Sequence, residues 1–321
     1  MNTFSPIACT TILSNTGLAT CYFTPKNIGG AILIPAGTTY TQAQQAALLT
    51  VLQDATQANS ITSRIFPVKK FKAFEGAGTE NVINTDAQGG KTKVRQGKYG
   101  FIATYVNGGM DLHTAMMSFD DQQDAFDILF IDTKNNGLFG TKRGTNGNEL
   151  GGFSMELIDV MNLTMNDGTN ETMYKVGFYL EDPDEINFRP AFYGFPKSVS
   201  VINSLNGLLN INPVIHTANV AGLIKIKLYS GETDLADVYS TELATASLYD
   251  AVNVKTQGAI TVTSVTYVAA TKTFNIQLDA TDADYTALAA GDEIQINIGE
   301  VSDMVTAGVV GYGNTSFIAL K

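Results

Sequence analysis

The sequence predicts a mainly β protein: a first β-domain with an α-helix and long hairpins, followed by a second domain of short strands arranged as a β-sandwich. Three observations predict this class. Gly accounts for 30 of the 321 residues and recurs with Asn and Thr, which favours turns and strands over helices. Residues 153–180 alternate apolar and polar side chains around a turn at Asp167–Gly168, as two long strands of one hairpin would. After residue 220, short alternating runs are separated by turn-rich segments, which is typical of a sandwich.

The N-terminal segment predicts a short hairpin and then a buried strand, GGAILIP, from Gly29 to Pro35. If the hairpin turns at residues 14–16, Cys9 and Cys21 face each other in positions suited to a disulfide. We expect thiols instead, because residues 1–15 lack the basic and apolar regions of a secretory signal. The protein is therefore expected to be made and kept in a cytoplasm, which it leaves in a particle or by a signal-independent route.

The best helix of the chain is predicted over residues 41–58, TQAQQAALLTVLQDATQA. Its apolar residues recur at spacings of three and four, and Thr39 or Thr41 is suited to cap its N-terminus. Because many of its residues are Ala, the helix is expected to pack closely on a sheet. A short helical turn is also predicted at SFDDQQDAF, residues 118–126.

Residues 64–74 and 91–106 alternate apolar and basic side chains and are predicted to form the two arms of a hairpin. Between them, residues 75–90 form a glycine-rich stretch with few core candidates, which we expect to be a long loop. Loops of this length are usually functional or disordered, and in an assembly such a loop could become ordered against a neighbouring subunit.

The long hairpin of residues 153–180 is predicted to present one apolar face on each strand. On the second strand, the expected apolar face comprises Tyr174, Val176, Phe178 and Leu180. On the first, interrupted by Asp159, it comprises Phe153, Met155, Leu157, Met161, Leu163 and Met165. Strands of this length are expected to project beyond a small local sheet.

A domain boundary is predicted within residues 181–220, where prolines and aromatics accumulate without periodicity. The first domain is therefore placed at residues 1–200, with its helix at 41–58, and the second β-domain at residues 220–321. No apolar run approaches the length of a transmembrane helix, so no membrane contact through a spanning helix is expected.

Charge is unevenly distributed along the chain. Residues 64–98 contain eight basic and three acidic residues, a net charge of +5, and since the whole chain carries −11, the remainder carries −16. A basic arm on an acidic body can draw identical subunits together, although lysines on a solvated hairpin edge also block unwanted pairing. The candidate subunit-interface residues are Lys69, Lys70, Lys72, Lys91, Lys93, Arg95 and Lys98.

The chain offers few residues for chemistry, with two His, two Cys and no Trp. Asp132–Gly137 resembles a calcium loop only faintly, because Lys134 stands where a ligand is needed, and a hairpin turn is the better interpretation. The acids of residues 181–185 are interpreted as a solvated loop, and His113 and His216 are not near a nucleophile in any recognisable pattern. Glycine-rich nucleotide-binding motifs are absent. We therefore predict no enzyme, no metal and no cofactor.

The pattern of residues 64–180 resembles that of virion structural proteins of tailed bacteriophages, most of all the major tail (tube) protein class. Three segments carry the resemblance: the arm and loop VKKFKAFEGAGTENVINTDAQGGKTKVRQGKYGF, the helical DDQQDAF, and the hairpin SMELIDVMNLTMNDGTNETMYKVGFYL. The resemblance covers about half of the chain and is one of pattern rather than of a signature motif. The segment from residue 220 onward resembles the immunoglobulin-like domains that often decorate such tubes.

The resemblance implies a β-sandwich or barrel-like first domain with a flanking α-helix and long hairpins, followed by an immunoglobulin-like β-sandwich domain. It also implies a subunit that assembles with copies of itself and with other virion proteins. Long hairpins would join into a ring that lines a negatively charged channel, and DNA would pass as non-specific cargo. A virion assembled in the cytoplasm of a bacterial host is the implied location. The acidic composition agrees with a channel that repels DNA, and it also agrees with solubility alone. The alternatives are another virion component, such as a capsid decoration or head–tail connector protein, and a surface adhesin or glycan-binding β protein.

Overall fold

The computed structural model describes residues 25–60, 62–106, 109–122, 124–165 and 171–321. The chain divides into two compact units, and the second unit consists of Gln57–Ile61 and Gly207–Lys321. The predicted hairpin of Cys9 and Cys21 and the predicted turn at Asp167–Gly168 lie outside the described residues. Each unit is mainly β, in agreement with the predicted fold class.

The first unit contains strands and helices with the following bounds. Its strands are β1 (Ile28–Pro35), β2 (Thr39–Tyr40), β3 (Phe66–Lys69), β4 (Ala73–Gly76), β5 (Val82–Thr85), β6 (Lys91–Arg95), β7 (Gly100–Tyr105), β8 (Phe126–Asp132), β9 (Gly137–Arg143), β10 (Glu149–Gly151), β11 (Phe153–Val160), β12 (Tyr174–Leu180) and β13 (Pro190–Gly194). Its helices are α1 (Gln42–Gln45), α2 (Leu48–Thr56), α3 (Gly109–Met117), α4 (Pro183–Asn187) and α5 (Val201–Ser204).

Strand β8 is the centre of the first unit. One of its edges pairs with β1, and β1 in turn pairs with β3. The start of β8 also pairs with β11, which leads through β12 and β7 to β4, while its end pairs with β9. Strand β9 continues the other branch, to β13 on one side and to β10 and β2 on the other. All of these pairs are antiparallel, and no sheet closes into a barrel within the described residues.

The core of the first unit lies on both sides of the β1–β8 pair. On one side, Leu33 and Phe130 belong to a cluster with Val176 and Phe178 of β12. On the other side, Ile32 and Leu129 belong to a cluster that includes Leu48 and Leu52 of α2. The unit is therefore a β-sandwich with a helix against the outer face of one sheet, as predicted.

The predicted helix over residues 41–58 is in fact two helices. Of the two predicted caps, Thr39 and Thr41, it is Thr41 that caps α1, through a capping box with Gln44. The helix is interrupted after Gln45, because the hydroxyl of Tyr193 donates to the carbonyl oxygen of Gln45, which a continuous helix would use itself. The Gln45 side chain is also fixed, since its Nε2 donates to the carbonyl oxygens of Tyr40 and Asn148.

The predicted apolar face of β12 is confirmed, since Tyr174, Val176, Phe178 and Leu180 are all buried. On β11 the prediction is wrong beyond Met155. A bulge at Glu156 inserts one extra residue opposite β12, so that Ile158 and Val160 are buried instead of Leu157 and Asp159. Strand β11 also ends at Val160 rather than at Met165, which is 70% exposed.

The second unit is an immunoglobulin-like sandwich. Its strands are β14 (Asn212–Val220), β15 (Leu223–Ser230), β16 (Thr233–Asp234), β17 (Tyr249–Asn253), β18 (Ala259–Ile260), β19 (Val262–Val268), β20 (Thr273–Leu278), β21 (Glu293–Ile298) and β22 (Thr315–Leu320), and its helices are α6 (Ala236–Tyr239), α7 (Ala283–Thr286) and α8 (Val301–Ala307). One sheet has the order β14-β15-β20-β19, and the other has the order β18-β17-β21-β22. When the strands other than the short β16 are lettered A, B, C, C′, D, E, F and G in chain order, the two sheets have the strand orders ABED and C′CFG of the immunoglobulin class.

A buried ionic cluster lies where the two branches of the first unit separate. Glu185 is 1% exposed, and its carboxylate accepts from the Ser154 backbone N–H at 2.7 Å and pairs with the Arg143 guanidinium at 2.8 Å. Asp127, 3% exposed, accepts from the Gly37 N–H at 3.0 Å and lies 3.6 Å from the same guanidinium. Burial raises the pKa of both carboxyl groups, although these hydrogen bonds and Arg143 act in the opposite direction.

We predict that Glu185→Ala destabilises the protein by about 3 kcal/mol, because the partly buried Arg143 guanidinium loses its nearest carboxylate and the Ser154 N–H loses its acceptor. Chemical denaturation followed by circular dichroism measures this. The matched control is Glu171→Ala, which breaks the exposed ion pair with Lys72 and is expected to cost less than about 1 kcal/mol. Equal effects of the two substitutions would contradict the prediction.

A second prediction concerns pH. Because the pKa of Glu185 is raised above its ordinary value of 4.5 in the folded protein, folding retains a proton that the unfolded chain has lost. The stability of the unaltered protein relative to Glu185→Gln is therefore greatest below about pH 4.5 and falls as the pH rises through the folded pKa. Denaturation of both proteins from pH 4 to pH 8 checks this. A relative stability that rises with pH would contradict it.

Candidate assembly interface

The predicted hairpin of residues 64–74 and 91–106 has different partners in the structure. Strand β3 pairs with β1, so the first predicted arm does not meet the second over most of its length. Instead β4 pairs with β7, and β5 pairs with β6. The expected loop at residues 75–90 is therefore largely part of the hairpin itself. The missed signal is Val82–Thr85, VINT, in which the β-branched residues Val82, Ile83 and Thr85 favour a strand.

A tight turn closes this hairpin at Asp86–Gly90. The Asp86 N–H donates to the Gly90 carbonyl at 2.8 Å, and the Asp86 carboxylate accepts from the backbone N–H groups of Gln88 and Gly90. Gly89 has a φ of +83°, a conformation that favours glycine. The turn thus fixes the register of β5 against β6. We call residues 82–95, which are β5, the turn and β6, the ribbon.

Every residue of β5 and β6 is exposed. The exposed side chains include three aliphatic ones, Val82 at 44%, Ile83 at 55% and Val94 at 65%. Two strands without a sheet or helix against them are marginally stable in water. Within the described residues, β5 and β6 pair only with each other, so the outer edge of each strand has free N–H and C=O groups. Such edges can accept a strand from another chain.

The structure places three of the predicted interface residues on the ribbon: Lys91, Lys93 and Arg95. They do not share one face. Lys91 pairs with Thr85 and Lys93 with Ile83, but Val94 is an extra residue, so that Arg95 pairs with Val82. Because paired residues lie on the same side of a ribbon, this bulge separates Arg95 from the two lysines.

The other four predicted residues lie outside the ribbon. Lys72 pairs with Glu171 and Lys98 with Glu156, both at 2.8 Å. The Lys69 ammonium donates to Asn206 Oδ1 at 2.9 Å, and burial lowers its pKa, with Lys70 adding to the effect. Lys70 itself has a φ of +65°. Their role in an interface remains a prediction, and the structure gives three of them partners within the chain.

Two glycines allow the two backbone segments at the base of the ribbon to approach each other closely. We call this close approach, at residues 78–79 and 97–98, the crossing. A Cβ added at Gly97 would overlap the Thr79 carbonyl oxygen, and one added at Gly78 would lie 2.5 Å from the Lys98 carbonyl oxygen. Close backbone approach of this kind is a recognised role of glycine within strands. The Thr79 N–H donates to the Lys98 carbonyl across the crossing at 2.8 Å.

The residues weighed for chemistry have structural contacts. The Asp132 carboxylate accepts from the N–H groups of Lys134 and Asn135, both at 3.0 Å, which is the predicted hairpin turn. The ring of His113 lies against that of Tyr174, with 5.5 Å between centroids. Within the described residues, no group of three or more His, Cys, Asp or Glu side chains is placed to hold a metal ion.

The chain matches no protein-family model, and no curated protein has significant sequence similarity to it. Over the part of the chain that the structure describes, no helix has the length and hydrophobicity needed to cross a membrane. A functional proposal therefore depends on the geometry and charge of the ribbon.

We predict that Gly97→Ala disturbs the strand crossing and costs about 1–3 kcal/mol, because the new methyl group has no space. Hydrogen exchange at the Thr79 amide should become faster. The control is Gly76→Ala, where an added Cβ meets nothing within 4 Å and the effect on the unfolded chain is the same. Unchanged exchange at the Thr79 amide in both variants would contradict the close backbone approach at Gly97.

Proposed function

We propose that this chain is a non-catalytic structural subunit that assembles with copies of itself into a tube. By the resemblance of residues 64–180, the tube would be the tail tube of a bacteriophage virion, assembled in the cytoplasm of the host. Other virion proteins would be its further partners, and DNA would pass through the channel as non-specific cargo.

The observation that carries the proposal is the exposure of the ribbon. Val82, Ile83 and Val94 lie on a two-stranded element with free edges and no layer against it in the described chain. Apolar surface and unpaired strand edges are a liability for a monomer, because both promote association. In a symmetric assembly, identical copies supply the missing neighbours, and the same groups then stabilise the assembly.

Charge supports the same proposal. Lys91 and Arg95 have no acidic partner in the described residues, in contrast to Lys72 and Lys98. The chain outside residues 64–98 is strongly acidic, so an acidic surface on a neighbouring copy is available to the ribbon. The overall negative charge also disfavours tight binding of DNA, as passage through a channel requires.

The test reverses the charge of the ribbon with Lys91→Glu, Lys93→Glu and Arg95→Glu in one variant. We expect loss of polymerisation, seen as the absence of tubes by negative-stain electron microscopy and a monomeric species by sedimentation at a concentration at which the unaltered protein forms tubes. Circular dichroism should remain unchanged, because these side chains are exposed and have no ion-pair partner in the described fold.

The matched control reverses three exposed lysines elsewhere, with Lys134→Glu, Lys197→Glu and Lys255→Glu. It changes the net charge by the same amount, so it should still polymerise if the ribbon matters rather than total charge. Normal tubes from the ribbon variant would overturn the assignment of this contact. Rings or particles without tubes from the unaltered protein would favour a decoration or connector protein, and a monomer that binds glycans would favour an adhesin.

A further inference from the structure

The base of the ribbon is joined to helix α4 by two side-chain contacts. The Gln96 side chain accepts from the Lys93 ammonium at 3.1 Å and donates from its Nε2 to Asp184 Oδ1 at 3.2 Å. The Tyr99 hydroxyl donates to Asn187 Oδ1 at 2.6 Å. Gln96 follows β6 directly, and Tyr99 lies immediately before β7, where its carbonyl oxygen accepts from the Leu180 N–H at 2.9 Å. The two contacts therefore flank the short segment through which the ribbon joins the sheet.

Helix α4 is itself firmly fixed to the body. The Asp182 side chain caps its N-terminus, accepting from the Asp184 N–H at 2.8 Å, and Pro183 occupies its first turn. From the middle of the helix, Glu185 extends into the buried ionic cluster with Arg143, and Ile186 packs against the core. A helix with a buried carboxylate and an apolar anchor cannot move without breaking both.

The ribbon alone has little to fix its angle. Its backbone continues into the sheet through a glycine-containing crossing at Gly78 and Gly97, and a two-stranded ribbon twists and bends more readily than a wider sheet. A further side-chain link from this region to the sheet, Lys98 to Glu156, is an exposed ion pair, which contributes little to rigidity. Asn81 Oδ1 accepts from the Gly97 N–H at 2.8 Å and Thr79 Oγ1 accepts from the Lys98 N–H at 2.9 Å, but these hydrogen bonds join the two strands of the hairpin to each other. The contacts to α4 join the same segment to the rest of the unit and can therefore hold the ribbon in one orientation.

We propose that Gln96, Tyr99, Asp184 and Asn187 form a clamp that holds the ribbon at a fixed angle to the body of the subunit. All four act as positioning residues. That the angle is the one at which the ribbon meets a neighbouring copy rests on the proposed function. A ribbon that is already oriented loses less conformational freedom on association, so the clamp lowers the concentration at which copies assemble.

The test measures the mobility of the ribbon in the unassembled full chain. Trypsin cleaves after Lys91, Lys93 and Arg95, and mass spectrometry identifies the cuts. Two double variants each break both contacts, one from the ribbon side (Gln96→Leu with Tyr99→Phe) and one from the helix side (Asp184→Ala with Asn187→Ala). We expect each to be cut at the ribbon about tenfold faster than the unaltered protein, since each loses two hydrogen bonds.

Combining all four substitutions should raise the cleavage rate no further, because both pairs break the same contacts. The conservative variant Asp184→Asn with Asn187→Asp keeps both acceptor oxygens and should restore slow cleavage. The control Asp54→Ala with Gln122→Ala removes an exposed acid and an exposed amide elsewhere in the first unit and should change nothing. An unchanged melting temperature in each variant separates clamp loss from unfolding.

Unchanged cleavage in the two double variants, or rates that multiply in the combined variant, would overturn the clamp. Failure of the clamp can be told apart from failure of the proposed function, because cleavage is measured on unassembled single copies. If the unaltered protein never polymerises but the variants are cut faster, the clamp stands without the tube. If charge reversal blocks tubes while cleavage is unaffected by the clamp substitutions, the tube stands without the clamp.

Discussion

The antiparallel pairing of β1 with β8 is the contact on which the rest of the first unit depends. Both strands are buried on both faces, and successive residues alternate between two cores, one shared with β12 and one with α2. Each large aliphatic side chain that is buried in this way contributes about 1.5–3 kcal/mol. The arrangement requires uninterrupted apolar sequence, which the chain supplies as AILI at 31–34 and ILFI at 128–131.

Strand β8 also explains how the rest of the first unit is connected to the ribbon. The second edge of β8 pairs with β11 at the start of the strand and with β9 at its end, so two branches of the sheet leave it. Where the branches separate, polar backbone groups would otherwise be buried without hydrogen-bond partners. The ionic cluster of Asp127, Arg143 and Glu185 satisfies that backbone and holds α4 in place. Thus a requirement of the fold, satisfying buried donors, also fixes the helix that contacts the base of the ribbon.

The sequence predicted what depends on local composition. The mainly β class, the buried strand after Gly29, the Thr41 cap and the apolar face of β12 follow from runs and periods of side chains, and the structure contains all four. Features that depend on distant partners were not predictable. The break after Gln45 requires Tyr193, 148 residues away. The bulge at Glu156 reverses a strand face without any turn residue to indicate it.

For the candidate interface, the sequence located the cations but not their surroundings. Lys91, Lys93 and Arg95 were recognisable from charge density alone. Their position on an exposed ribbon was hidden, because VINT is flanked by the glycines and polar residues of a loop. The ion pairs of Lys72 and Lys98 join residues 99 and 58 positions apart and depend on the sheet topology.

If copies assemble as proposed, the extra residue at Val94 has a consequence for how many neighbours one copy can contact. Cationic and aliphatic groups are present on both broad sides of the ribbon, Lys93 beside Ile83 on one and Arg95 beside Val82 on the other. A ribbon with matching chemistry on its two sides suits insertion between two molecules better than lying flat on one. Each subunit inserted in this way would bridge a seam, so that strength in a lattice of such subunits would depend on interlocking rather than on the area of any single pairwise contact.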